Sequence, residues 1–208
     1  METGWNLTPD SLLLLGAAML YMISMTLTPG PNNIMLTASG ANYGFRRTLP
    51  HIFGIAFGCL LLFSTLALGL GSAFEHFPLL QTGLKITGSV YLLWLAWQIA
   101  TAPPPVISTE HQGRPLTLWQ AAAFQFANPK AWIMGIALMA GFLPDQGNLI
   151  MNALLLAGMS VLVGLPCISL WAGFGVAIGK LLKSEHHWRW FNRSMGGITA
   201  ACVVMILQ

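Results

Sequence analysis

The most constraining feature of this chain is a succession of apolar runs that carry almost no charge and are separated by short polar stretches. A helix needs about 20 mostly apolar residues to cross the hydrocarbon core of a bilayer, and several of these runs have that length. Only 7% of the 208 residues are charged, whereas ordinary soluble domains carry roughly a quarter. The sequence therefore predicts an all-α, polytopic transmembrane helix bundle that forms a single domain over residues 1–208.

About six spans are predicted, and the first and fourth contain a break at proline. The predicted spans are Ser11–Leu27 with a continuation beyond the break to Ala41, Pro50–Phe74, Leu79–Ala100, Leu118–Leu143, Leu149–Leu182 and Ser194–Leu207. A chain with these spans lies in a lipid bilayer.

The distribution of charge between the spans predicts the orientation, because lysine and arginine stay on the cytoplasmic side. Basic residues follow spans one, three and five: Arg46, Arg47, Arg114, Lys180, Lys183, Arg189 and Arg193. Acidic residues mark the opposite side: Glu2, Asp10, Glu75 and Asp145. Both termini are therefore predicted to be extracytoplasmic. The net charge of +3 is a topology signal, and no basic stripe with interleaved aromatic residues indicates a nucleic-acid partner.

Two halves of three spans each would have opposite orientations, so any internal repeat would be inverted in the membrane. Each half opens with a proline-interrupted helix, and paired broken helices mark the binding site in transporters built from inverted repeats. A shift of half the chain also superposes three glycine pairs: Gly54 with Gly158, Gly69 with Gly173, and Gly71 with Gly175. A 3+3 inverted repeat with a broken first helix in each half is one interpretation of this pattern, and chance coincidence among 22 glycines is the other.

The first break is the segment Pro29-Gly30-Pro31-Asn32-Asn33. Its two prolines lack backbone N–H donors and stop helix continuation, which frees carbonyl groups before the break and amides after it. In a membrane these groups must be satisfied by protein, water or a ligand. The new helix start presents a positive dipole end, which suits a carboxylate. The alternative is an ordinary loop at the cytoplasmic end of span one.

The second break is Asn128-Pro129-Lys130, within span four. Asn128 is placed to cap a helix that restarts at Pro129. A lysine inside a span is unfavourable unless it faces a cavity or a partner, so Lys130 is a candidate cation for a substrate carboxylate. A later start of span four would instead make Lys130 an anchor at the cytoplasmic interface.

Few other residues have the chemistry of a site. His51 is a candidate for a proton pathway, because histidine titrates near physiological pH, although a structural role is the more common one. Cys59, Cys167 and Cys202 lie in apolar runs, where free cysteine usually packs as a small apolar residue. Their spacing indicates neither a disulfide framework nor a metal site, and no cofactor or catalytic residue is predicted.

Several segments together resemble the LysE/RhtB family of amino-acid exporters. These segments are Leu27-Thr28-Pro29-Gly30-Pro31-Asn32-Asn33, Gly44-Phe45-Arg46-Arg47, Gly54-Ile55-Ala56-Phe57-Gly58, Phe126-Ala127-Asn128-Pro129-Lys130-Ala131 and Gly141-Phe142-Leu143-Pro144. The resemblance covers essentially the whole chain. The doubled asparagine Asn32-Asn33 looks most like the cysteine and O-acetylserine exporter branch, whereas Asn128-Pro129-Lys130 is closer to the general family pattern.

This resemblance implies secondary active export of small amino acids or their derivatives across the bacterial inner membrane, energised by a proton gradient. Neutral amino acids such as cysteine, O-acetylserine, threonine or homoserine are the implied substrates, with basic amino acids as an alternative. Two other classes remain open at this point. Cys59 and Cys167 could form a membrane-embedded thiol relay, or the chain could be a structural membrane protein. A homo-oligomer is compatible with all of these.

Overall fold

The computed structural model describes residues 8–69, 78–103, 114–144 and 147–204. The regular secondary structure in these ranges consists only of α-helices, as predicted. The helices are α1 (Pro9–Leu27), α2 (Pro31–Tyr43), α3 (Phe45–Ala67), α4 (Pro78–Thr101), α5 (Leu118–Ala127), α6 (Pro129–Phe142), α7 (Leu149–Leu181) and α8 (Glu185–Ala201). Glu2, Glu75 and Asp145, which contributed to the predicted orientation, lie outside the described residues.

Three helices of the described ranges, α1, α3 and α7, are long and apolar enough to cross a membrane. Large apolar side chains point outward from the bundle: Leu13, Leu20, Leu162 and Leu170 are each at least 65% exposed. Soluble monomers rarely expose apolar surface on this scale. The structure is therefore that of a helical membrane protein, while the full count of six spans stays a prediction.

Side chains at the helix starts explain why several helices begin where they do. Thr8 and Ser11 form a capping box at the start of α1, and Thr117 and Gln120 form the same motif at the start of α5. Asn148 accepts a hydrogen bond from the backbone N–H of the third residue of α7 at 3.0 Å. These caps satisfy amide donors that have no partner within the helix.

The last helix begins nine residues before the predicted span, at Glu185 instead of Ser194. Ser184 caps it, and Arg189 forms a salt bridge with Glu185 one turn away. The prediction followed apolar content alone and therefore missed an amphipathic helical segment. Arg189 and Arg193 consequently lie on a helix and not in a loop.

Glycines allow two pairs of helices to pack backbone to backbone. A Cβ on Gly40 would lie 2.1 Å from the carbonyl oxygen of Ala172, and a Cβ on Gly175 would lie 2.1 Å from that of Thr37, so α2 and α7 touch directly. Gly54 and Gly58 play the same part where α3 crosses α5. The small residues therefore serve helix packing.

One of the glycine pairs suggested by the half-chain shift, Gly54 with Gly158, does not have equivalent environments. Gly54 packs closely on α5, whereas a Cβ on Gly158 would have no atom within 4 Å. Gly71 lies outside the described residues. Each half does open with a broken helix, α1–α2 and α5–α6, but the inverted repeat itself stays a prediction.

Candidate functional site

The first break joins α1, which ends at Leu27, to α2, which starts at Pro31. Thr28 is extended and Gly30 caps α2 through its backbone alone, without a side chain. The predicted interruption at Pro29 and Pro31 is therefore present as a short extended segment. Gly30, at the positive dipole end of α2, lines a cavity inside the bundle.

Two side chains satisfy the carbonyl groups that the first break frees. The Asn33 amide donates to the carbonyl oxygens of Thr26 and Thr28, at 2.9 and 2.8 Å. The Lys130 ammonium, from the second break, also donates to the Thr28 carbonyl. Lys130 lies directly over Gly30, where a Cβ would come within 2.8 Å of the lysine Cδ. The two breaks are thus in direct contact.

The second break separates α5 from α6 at a single residue, Asn128. Its side-chain oxygen accepts a hydrogen bond from the backbone N–H of Lys130 at 3.2 Å, which matches the predicted capping role. Pro129 occupies the first position of α6, where no N–H is needed. Lys130 is the second residue of α6, and its side chain is half-buried.

A buried amide bridge, which the sequence analysis missed, links the two broken helices. Asn32 Nδ2 donates to Gln125 Oε1 at 2.8 Å, and Gln125 Nε2 donates back to Asn32 Oδ1 at 3.2 Å. Gln125 is fully buried and also donates to the Ala121 carbonyl, while the Cys59 thiol lies 3.7 Å from its Oε1. The available signal was a lone amide between two phenylalanines, three residues before the second break.

The two breaks share one cavity, here called the central cavity. It offers about 60 Å³ to the centres of water-sized molecules, where about 10–15 Å³ is enough for one water. Five of the eight predicted binding residues line it: Gly30, Asn32, Asn33, Asn128 and Lys130. The three prolines form the breaks without lining the cavity.

The remaining walls of the central cavity come from α1, α3, α6 and α7. They include Met25, Thr26, Ile55, Ala56, Cys59, Ala131, Met134, Ser160, Val161, Gly164, Leu165 and Ile168. Thr26 Oγ1 is buried and has no hydrogen-bond partner within the described part of the chain. None of the described lining residues is acidic. The arrangement therefore combines one cation, several amides and an apolar wall.

Comparison with known proteins identifies the kind of molecule that carries this cavity. The model of the LysE type translocator family matches residues 23–206. The chain belongs to the LysE type translocator family. This confirms the family resemblance, and it makes the chain a transmembrane transport protein of an efflux family. No solved structure matches the chain.

Curated relatives of this LysE type translocator carry the name cysteine/O-acetylserine efflux protein. The protein from Shigella flexneri is 27% identical over 195 residues, which is 93% of this chain and 97% of the relative. Those from Salmonella typhi and Escherichia coli (strain K12) are 28% and 27% identical, over the same shares of each chain. The similarity therefore includes both helix breaks.

His51 lies apart from the central cavity of this LysE type translocator. It belongs to α3, is 1% exposed and lines a second cavity near the basic end of the bundle. Both ring nitrogens lack a hydrogen-bond partner among the described residues. The structure thus places His51 deeper than its position near Arg46 and Arg47 in the sequence indicates.

Proposed function

We propose that this chain is a secondary active exporter of small neutral amino acids, such as cysteine, O-acetylserine, threonine or homoserine, across the bacterial inner membrane. The carrying observation is that both helix breaks open onto one cavity with a lysine and three asparagines in its wall. In this proposal the whole chain, 1–208, is one exporter domain that moves its substrate unchanged and is not an enzyme. The names of the relatives support the same substrate class.

The central cavity suits a zwitterion because it offers partners for both the carboxylate and the ammonium. Each charge that leaves water needs a partner, or its desolvation is strongly unfavourable. Lys130 and the open N-terminus of α2 serve the carboxylate. When Lys130 turns to the carboxylate, the Thr28 carbonyl keeps its hydrogen bond from Asn33, and its second lone pair becomes available to the substrate ammonium. Thr26 Oγ1 adds an unoccupied hydroxyl close by.

The composition of the cavity wall favours a neutral side chain over a basic one. A lysine or arginine substrate would bring a second cation next to Lys130, and no described lining residue is acidic. Ile55, Met134 and Ile168 instead provide apolar contacts for a short side chain. This argues against the alternative of an exporter of basic amino acids.

The thiol relay is less well supported than amino-acid export. Cys59 lines the central cavity and contacts Gln125, whereas Cys167 is absent from the described lining residues. All three cysteines are free. A relay needs two thiols that can react with each other or with a shared partner, and the described residues of this cavity include only one, Cys59.

The proposal also includes the orientation of the chain in the membrane and the ion whose movement drives export. Seven of the nine lysines and arginines lie after or at the end of predicted spans one, three and five, so both termini are proposed to be extracytoplasmic. A proton moving inward is proposed to drive export. Because no carboxylate is among the described lining residues, the proton is proposed to pass by His51, by water or on the substrate.

The proposal is tested by measuring intracellular amino-acid pools when the protein is overproduced in a strain that lacks its own exporters. We expect the pool of at least one small neutral amino acid to fall, with increased tolerance to a toxic level of it. Lysine and arginine pools should stay unchanged. A variant with Cys59, Cys167 and Cys202 all replaced by alanine should export as well as the wild type.

Unchanged pools across the whole amino-acid panel would contradict the exporter function. A fall in the lysine or arginine pools alone would favour the basic-substrate alternative. Loss of export in the cysteine-free variant at normal abundance would revive the thiol relay.

A further inference from the structure

A second polar cavity lies beside Arg114 and His51, and it is here called the basic-end cavity. It is formed by the end of α2, the start of α3, the end of α4 and the segment before α5. It offers about 60 Å³ to the centres of water-sized molecules. Its polar lining consists of Ser39, Asn42, Tyr43, His51, Gln98 and Arg114.

His51 is the unsatisfied group of the basic-end cavity. A neutral imidazole has one donor and one acceptor, and both nitrogens are buried without a partner in the described structure. Two of its polar neighbours are already engaged: Ser39 pairs with Thr48 at 2.9 Å, and Asn42 pairs with Asn192 at 2.8 Å. Buried polar groups are nearly always hydrogen-bonded, so His51 offers a donor and an acceptor to a molecule that enters the cavity.

Arg114 indicates which chemical group such a molecule would carry. Its side chain is exposed at the mouth of the basic-end cavity and forms no ion pair within the described residues. The described lining residues include no acid. A guanidinium with a planar fork of donors matches a carboxylate, and an imidazole N–H can donate to the same group. The Gln98 amide oxygen offers an acceptor for an ammonium.

A cluster of apolar residues contacts both cavities. It consists of Leu36, Ile52, Ile55, Ala121, Ile168 and Ala172. Ile55 and Ile168 also line the central cavity, while Leu116 packs on the cluster from the basic-end cavity. His51 and Ile55 are one turn apart on the same face of α3, about 6 Å along its axis.

We propose that the basic-end cavity is a carboxylate-binding entry site, in which Arg114 and His51 hold the α-carboxylate of an amino acid before it crosses the apolar cluster. This inference rests on the proposed export of amino acids. It adds a cytoplasmic binding step that precedes the central cavity. A site of this kind sets the substrate concentration at which transport from the cytoplasm saturates, without setting the rate of later steps.

The test uses inside-out membrane vesicles, whose outer face is the cytoplasmic one, with labelled reduced cysteine as the probe. Arg114→Gln should raise the KM for uptake about tenfold and leave the maximal rate near that of the wild type. KM measured from the opposite face, in right-side-out vesicles, should not change. Arg47→Gln removes an exposed arginine from the same end without touching the cavity, and it should change neither value.

Substitutions of His51 provide a second, independent test of the entry site. His51→Leu should also raise KM from the cytoplasmic face, and His51→Gln, which keeps a donor and an acceptor, should restore much of it. An unchanged KM for Arg114→Gln, or a fall in its maximal rate alone, would overturn the entry site while leaving the exporter function intact. Absence of cysteine uptake by the wild type would instead overturn the cysteine exporter on which the site rests.

Discussion

Lys130→Ala is expected to reduce export about ten- to a hundredfold, because a hydrogen bond to a charged group contributes about 1.5–3 kcal/mol. Lys130 is the only cation among the described residues that line the central cavity, and its ammonium reaches the Thr28 carbonyl across the two breaks. Its loss removes the proposed partner of the substrate carboxylate. The measurement is the initial rate of efflux from preloaded cells, normalised to the amount of protein in the membrane.

A matched control is Lys183→Ala, which removes an exposed lysine beyond the end of α7. It should leave both export and abundance unchanged. Asn33→Ala should lower export and also abundance, because Asn33 holds the carbonyl oxygens of Thr26 and Thr28. Normal export by Lys130→Ala at normal abundance would show that the breaks are structural and that the substrate binds elsewhere.

Gly175→Ala is expected to destabilise the folded bundle by about 1–3 kcal/mol or more, which is the range for overpacked interiors. The new Cβ would lie 2.1 Å from the Thr37 carbonyl oxygen, and the obstructing atom belongs to the backbone of α2. No side-chain rotation can relieve that contact, so α2 and α7 must move apart. We expect a lower Tm for the purified protein in detergent and less protein in the membrane.

Gly173→Ala is the control on the same helix. A Cβ at Gly173 would meet no atom within 4 Å, and alanine is favoured over glycine in a helix by about 1 kcal/mol. Its Tm should therefore equal or exceed that of the wild type. Equal Tm values for the Gly175 and Gly173 variants would contradict the close contact between α2 and α7.

The fold class and both breaks could be predicted because their causes are local. A long run without charge has few alternatives to a membrane helix, and Pro29, Pro31 and Pro129 cannot continue the hydrogen-bond pattern of the preceding helix. The capping role of Asn128 follows from the same local chemistry. The structure adds the contact between the two breaks, through Lys130 and the Thr28 carbonyl.

The missed features depend on contacts between distant parts of the chain. Gln125 pairs with Asn32 across 93 residues, and Asn192 pairs with Asn42 across 150 residues. Asn192 illustrates the consequence. It stands next to Arg193 in the sequence, yet it is fully buried and also donates to the Ala102 carbonyl at 3.1 Å.

The central claim is that the cavity between the two breaks carries a small neutral amino acid out of the cell. Its most direct test is efflux of labelled cysteine, kept reduced, from liposomes that contain only the purified protein. The account predicts that wild-type protein releases cysteine faster than empty liposomes, that an inward proton gradient accelerates release, and that Lys130→Ala abolishes most of it while Gly173→Ala does not. Release from wild-type liposomes at the rate of empty ones, or equal release by the Lys130 variant, would contradict it.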